Sequence, residues 1–374
     1  MPKRSWASSA ALAAVAVLAA GGCAGGGGGP DADAQLTVYV SLPLRGPSGG
    51  DGQDAADGAR LALADAGGVA GGVAVEANYL DDTEGEGAAA VWTPAQAAAN
   101  ARTASQDSTA IAYLGDFESG ATRASLPVTN AAQVLQVSPA SSAGDLVAPV
   151  PGSDEVPDAQ PSGTRTFGRV IPSDRSQALA GAAWVDRMGV SRVAAESDGT
   201  AYGKAMISGF EDGLRRASLV RGAGFVYYGG LPEDQPLADA RGLDGLMVTD
   251  AELVPGVSEP AGTLATSAAL DPSQLPPAGQ DFADAFRGEY GRPPGRYAAY
   301  GYEAMAVILD SIDRASDPTD RTDVIGAFFE TAERDSVLGT YSIDNVGETT
   351  LDRMTGYELG RGEPKPVAAL GGPG

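Results

Sequence analysis

Histidine is missing from all 374 residues, and cysteine occurs once, at Cys23. Without histidine there is no Ser-His-Asp triad, no imidazole general base and no His-ligated zinc. A lone cysteine excludes a disulfide framework and a four-cysteine metal cage. Lysine is scarce as well: Lys3, Lys204 and Lys365 stand beside 22 arginines, which leaves few candidates for lysine-based covalent chemistry. Positive charge as a whole is outnumbered, 25 basic residues against 49 acidic ones for a net charge of −24. A nucleic-acid partner is thereby excluded, because binding a phosphate backbone needs basic surface. Long apolar runs are also lacking. What remains is an ordinary globular balance, 43% hydrophobic and 20% charged, at a length that suits two domains of roughly 100–200 residues each.

The first residues address the compartment. Lys3 and Arg4 precede an apolar stretch, Ala10 to Ala20, too short for a spanning helix but suited to a secretory signal. Leu18-Ala19-Ala20-Gly21-Gly22-Cys23 resembles a slightly elongated bacterial lipobox. That resemblance implies removal of residues 1–22 and a lipid on Cys23. Residues 23–35, rich in glycine up to Pro30, then read as a flexible tether. Processing would leave the chain at −26; anionic lipid repels such a chain, so its attachment has to come from the anchor.

The body alternates strand and helix patterns. Leu36, Val38, Val40 and Leu42 alternate with polar neighbours, the period of a strand. A Gly/Pro/Ser loop from Arg45 to Gly52 leads to a helix from about Gln53, and further strands are expected at Val73–Leu80, Ala110–Leu114 and Val134–Val137. A helix over Pro94–Ser105 separates two of them. Leu146 to Arg165, with four prolines, interrupts the rhythm as a surface loop near a lobe boundary. The alternation then restarts with helices at Ser176–Met188, Gly203–Arg216, Ala278–Tyr290 and Tyr300–Arg314, and strands at Arg192–Glu196, Gly224–Tyr228, Gly245–Thr249 and Thr263–Ser267. Two doubly wound α/β units follow from this pattern.

Ligands of open α/β sheets bind beyond the carboxyl ends of the strands. Two such ends carry hydroxyl-rich turns, Gly115–Thr122 around Ser119 and Ser138–Ser142. A hydroxyl and free amides at a helix start suit a carboxylate. The order of pieces is similar to the branched-chain amino acid (Leu/Ile/Val-type) substrate-binding proteins of ABC importers. In the first half these are Ser41–Ser48, Asp57–Ala62, Tyr79–Asp82, the Ser119 turn and Gln136–Ala140. In the second they are Tyr202-Gly203, Phe225–Gly230 and Tyr297–Ala304.

That resemblance implies the periplasmic binding protein type I fold: two Rossmann-like lobes closing on a ligand, residues 36–166 with 267–338 forming the N-terminal lobe and 167–266 with 339–370 the C-terminal one. It implies that Ser119, Ala140 and Ser142 hold an amino-acid carboxylate. It further implies that Tyr202, Asp250 and either Tyr227 or Tyr228, with Tyr228 preferred, meet the ammonium group. Three departures stand out. Asp51 occupies the place of a large aromatic over the ligand, Glu252 competes with Asp250, and the stretch from Leu214 to Gly224 is too short for the usual strand and helix, so the second lobe is expected to be shortened. The expected function is capture of a branched-chain or similar amino acid by a monomeric, lipid-anchored protein on the outer face of the cell membrane, for delivery to an ABC permease, without cofactor, metal or catalysis. The alternative is a degenerate or sensory domain of the same fold that binds an amide, a urea-like solute or nothing.

Overall fold

The computed structural model describes residues 35–149, 153–217, 220–221, 224–231, 244–253, 260–360 and 362–371. The expected signal peptide, Cys23 and the tether as far as residue 34 lie outside them. The first half of the chain forms β1 (Gln35–Leu42), α1 (Gly49–Asp65), β2 (Val69–Ala70), β3 (Val73–Asp81), β4 (Thr83–Glu84), β5 (Val91–Trp92), α2 (Pro94–Gln106), β6 (Ala110–Gly115), α3 (Ser119–Ala131), β7 (Leu135–Ser138) and β8 (Phe167–Arg169). One sheet runs β2-β3-β1-β6-β7-β8 among the described residues, with β3, β1, β6, β7 and β8 parallel. β4 and β5 form a separate small hairpin.

β1 alternates apolar and polar residues, yet Leu36 to Leu42 are all buried. The reason is its central place: it pairs with β3 on one side and β6 on the other, and helices cover both faces. α1 begins at Gly49, earlier than the loop-like composition predicted. Gly52 makes this start feasible, since a Cβ there would sit 1.9 Å from the Pro43 carbonyl oxygen. α2 is started as its sequence announces, with Pro94 in its first turn and the Thr93 hydroxyl accepting from the Gln96 N–H at 3.1 Å.

The second half adds α4 (Asp174–Arg187), β9 (Arg192–Ser197), α5 (Ala201–Ala217), β10 (Val220–Arg221), β11 (Phe225–Gly229), β12 (Gly245–Val248) and β13 (Thr263–Ser267). There follow α6 (Pro277–Tyr290), α7 (Ala298–Arg314), α8 (Arg321–Phe329), β14 (Met354–Leu359) and β15 (Lys365–Leu370). The second sheet runs β10-β9-β11-β12-β13-β14-β15, parallel as far as β13 and antiparallel beyond it. Where the sequence is short, the strand after α5 is present as the two-residue β10 and β11 starts four positions after its end, yet this sheet has seven strands among the described residues, one more than the first.

α6, α7 and α8 return to the first sheet, where Phe286, Tyr300, Ile308 and Phe328 join its core. α1 and α7 cross closely through glycines. A Cβ on Gly58 would lie 1.9 Å from the Ala298 oxygen, and one on Gly301 would lie 2.0 Å from the Ala55 oxygen. The chain therefore passes between lobes three times. Two expected boundaries move. β8, placed after the 166/167 boundary, pairs with β7 and belongs to the first sheet, so the first crossing follows Arg169. Tyr341 and Ile343 pack in the first core, so the last crossing lies between Ile343 and β14 rather than at 338/339.

Candidate functional site

The turns after β6 and β7 are tied together by hydroxyls. Ser138 Oγ donates to the Asp116 carbonyl at 2.7 Å and accepts from the N–H groups of Ala140 and Ser141 at 3.2 and 2.8 Å. Ser141 shares a 2.6 Å hydrogen bond with Thr122 on α3. Ser119 is the first residue of α3 rather than its cap, a place taken by Glu118. Its hydroxyl reaches the neighbouring turn, accepting from the Ala143 N–H at 3.2 Å. Arg169, fully buried, braces the same turn. It donates to the carbonyls of Ser141 and Ala143 at 3.1 and 2.8 Å and pairs with Glu348 on the last crossing segment. The Ser142 carbonyl accepts from the Asp174 N–H at 3.0 Å, so the start of α4 docks directly on this loop.

Across from these turns the second lobe presents Asp250. Its Oδ1 accepts from the Gln177 amide at 3.1 Å and the Tyr202 hydroxyl at 3.2 Å, and its Oδ2 from the Ala268 N–H at 3.3 Å. Charge-assisted bonds of this kind fix the carboxylate's direction. Glu252, the competing acid, is buried two residues further on. The tyrosine pair divides between the two faces of β11. Tyr227 stacks on Phe210 with ring centres 3.8 Å apart, and the Asp250 charge adds to burial in raising its hydroxyl pKa. Tyr228 packs with Leu246, Val248 and Leu253 on the opposite face, its hydroxyl donating to the Leu231 carbonyl at 3.4 Å. Successive strand residues point to opposite faces, so the face toward α4, α5 and Asp250 carries Tyr227, and the preferred Tyr228 lies on the other.

Between the lobes lies a cavity of about 700 Å³, lined by Ser119, Arg123, Asp145, Asp174, Tyr202 and Glu348 among others. Ala140, Ser142, Tyr228 and Asp250 are not part of that wall. Asp250 is reached through Tyr202, which lines the cavity and donates to it. Thus Ser119 and Tyr202 meet at the cavity, Ala140 and Ser142 lie in the turn behind Ser119, and Tyr228 stays apart.

Asp174, Glu118 and Arg296, which the sequence did not single out, join Asp51, which it did, at the lobe junction. Asp174, 4% exposed, lines the cavity, and burial pushes its carboxyl up to about 6, the Ser142 hydroxyl opposing and Asp250 adding to the shift. Glu118 accepts from the Ser48 hydroxyl at 2.9 Å; burial raises its pKa against that bond, with Asp51 and Asp250 adding to the rise. Asp51 pairs with Arg296 at 3.0 Å, and Arg296 also donates to the Leu253 carbonyl at 2.9 Å, joining the lobes. Tyr297, next to it, meets the edge of Phe117 at 4.6 Å. Arg296 directly precedes the quoted Tyr297–Ala304 piece, the one signal that pointed to it. Asp174 lies two residues before the expected start of its helix, Ser176, and carried no signal.

Two lobes, three crossings and a cavity at their junction match the periplasmic binding protein type I fold. Solved structures that share it include branched-chain amino acid ABC transporter substrate-binding proteins and solute-binding proteins in complex with aromatic acids. A leucine-binding protein LivK from Thermotoga maritima superposes with a TM-score of 0.73 at 20% identity, over 90% of this chain and 99% of that one. A Desulfitobacterium hafniense ABC transporter substrate-binding protein in complex with Leu gives 0.71 at 20% identity, over 89% and 100%. A solute-binding protein from Rhodopseudomonas palustris HaA2 in complex with p-hydroxybenzoic acid gives 0.71 at 17%, over 90% and 97%. No family model matches the sequence, and no curated protein does. Among the described residues no helix is long and apolar enough to cross a membrane.

Proposed function

We propose that this protein captures an α-amino acid between its lobes and hands it to an ABC permease, held to the outer face of the membrane by a lipid on Cys23. The observation that carries this reading is the fixed Asp250 carboxylate, which Gln177, Tyr202 and the Ala268 N–H orient on the lobe opposite the Ser119–Ser142 turns. Hydroxyls and turn amides suit the ligand carboxylate, and the oriented acid with its tyrosine suits the ammonium group. Both charges are then needed to bridge the lobes, so closure is a population shift driven by contacts that exist only when closed. No bond is made or broken in this function.

Thermal-shift measurements on the purified protein against the twenty amino acids and a set of aromatic acids test it. At least one amino acid should raise the unfolding midpoint. Ser119→Ala should weaken that ligand by about 1–3 kcal/mol, the cost of a hydrogen bond to a charged group. Stabilisation by an aromatic acid alone, with no amino acid active, overturns the reading.

A further inference from the structure

Resting on the amino-acid reading above, we infer that the ligand is a basic amino acid, whose second cationic group is held by Asp174 on the cavity wall, with the carboxylates of Asp51, Glu118 and Asp250 at the same lobe junction. These four acids come from both lobes, α1 and the α3 cap on one side and α4 and the segment after β12 on the other. They feel one another: the Asp250 charge adds to burial in raising Asp51, Glu118 and Asp174 alike. The guanidinium in their midst, Arg296, is engaged through Nη2 with Asp51 and the Leu253 carbonyl. Arg123 and Arg169 stand near Asp174, but each is paired with its own acid, Asp145 and Glu348. Negative charge is therefore in excess at this junction.

A zwitterion with an aliphatic side chain does not relieve that excess. Its ammonium answers Asp250 and its carboxylate goes to the Ser119 turn, while the apolar chain removes water from Asp174 on the cavity wall. Burying unpaired carboxylates is costly. Independent of the charge count, Asp174 is more than nine-tenths buried, lines the cavity, and has an Oδ1 with no hydrogen-bond partner among the described residues. An ammonium or guanidinium donor supplies what that oxygen lacks. Tyr202 on the cavity wall, with Tyr297 and Phe117 close to the same acids, adds aromatic faces that favour a cation. One group argues the other way, since Arg296 Nη1 is also buried without a partner; an acidic side chain would serve it, and glutamate is the control for that case.

Calorimetric titration of the full-length protein with L-arginine, L-lysine, L-leucine, L-glutamate and agmatine decides the matter. Arginine or lysine should bind at least about 100-fold more tightly than leucine or glutamate, two powers of ten being of the order that a lost charge-assisted contact costs. Asp174→Asn should reduce that preference about tenfold or more, with the fold checked by its unfolding midpoint. The comparison of ligands on the unaltered protein stands even if the variant does not fold. Leucine or glutamate binding as tightly as the basic amino acids overturns this inference and leaves amino-acid capture standing. Agmatine matching arginine also overturns it, because the carboxylate would then go unread. If no amino acid binds, both readings fall.

Discussion

Asp82 ends the segment after β3 with its carboxyl fully buried and neither oxygen hydrogen-bonded among the described residues. Burial, and after it the charges of Asp116, Glu118 and Asp81, push its pKa from 3.8 to about 8. The folded protein therefore keeps a proton there that the unfolded chain gives up near pH 4. Between these values folding takes up one proton, so stability falls as pH rises through the window and levels off above about pH 8. Each pH unit costs about 1.4 kcal/mol, which accumulates to about 4 kcal/mol at pH 7. Asp82→Asn keeps the shape and removes the titration. An unpartnered amide in the same place shifts the absolute stability by about 1–3 kcal/mol, but that offset is independent of pH. Urea unfolding at pH 5, 6, 7 and 8 separates the two effects. Relative to the unaltered protein, the variant should gain about 1.4 kcal/mol per pH unit across the range. A stability difference that stays constant from pH 5 to 8 refutes the argument.

Three further outcomes follow from the site and the anchor. Asp250→Asn should weaken amino-acid binding by roughly 2–5 kcal/mol and Glu252→Gln should not, as read by calorimetry; the reverse ranking would put Glu252 in the ligand's path. Because the Asp174 carboxyl titrates near 6, affinity for a cationic ligand should drop as pH falls from 7 to 5 and a proton neutralises it, whereas a flat profile removes Asp174 from contact. Cys23→Ala should move the protein from the membrane fraction to the soluble one, and a variant that remains in the membrane fraction disproves the lipid anchor.

Much of the architecture was legible along the chain. Strand and helix periods are local properties, so most elements emerged within a few residues of their ends, and the absence of histidine removed whole classes of chemistry at once. The short interval after α5 was also visible, because the spacing of elements is a matter of length. The candidate site was legible only in part. Ser119 stood out by its residue type and place, and Tyr202 and Asp250 through the family resemblance, but the face of β11 that meets Asp250 depends on how the sheet packs between its layers. Alternation says that Tyr227 and Tyr228 point oppositely and not which of them points where. Gln177 and Asp250 are 73 positions apart, and Arg296 and Asp51 are 245 apart. No local pattern encodes such meetings; they arise when the crossings bring β12, α4, α1 and the start of α7 to one junction. The sequence by itself determined the two α/β units, the excess of negative charge and the chemistry that is excluded. Only the tertiary structure decided which acids share a space, because burial and mutual repulsion are properties of groups brought together by packing.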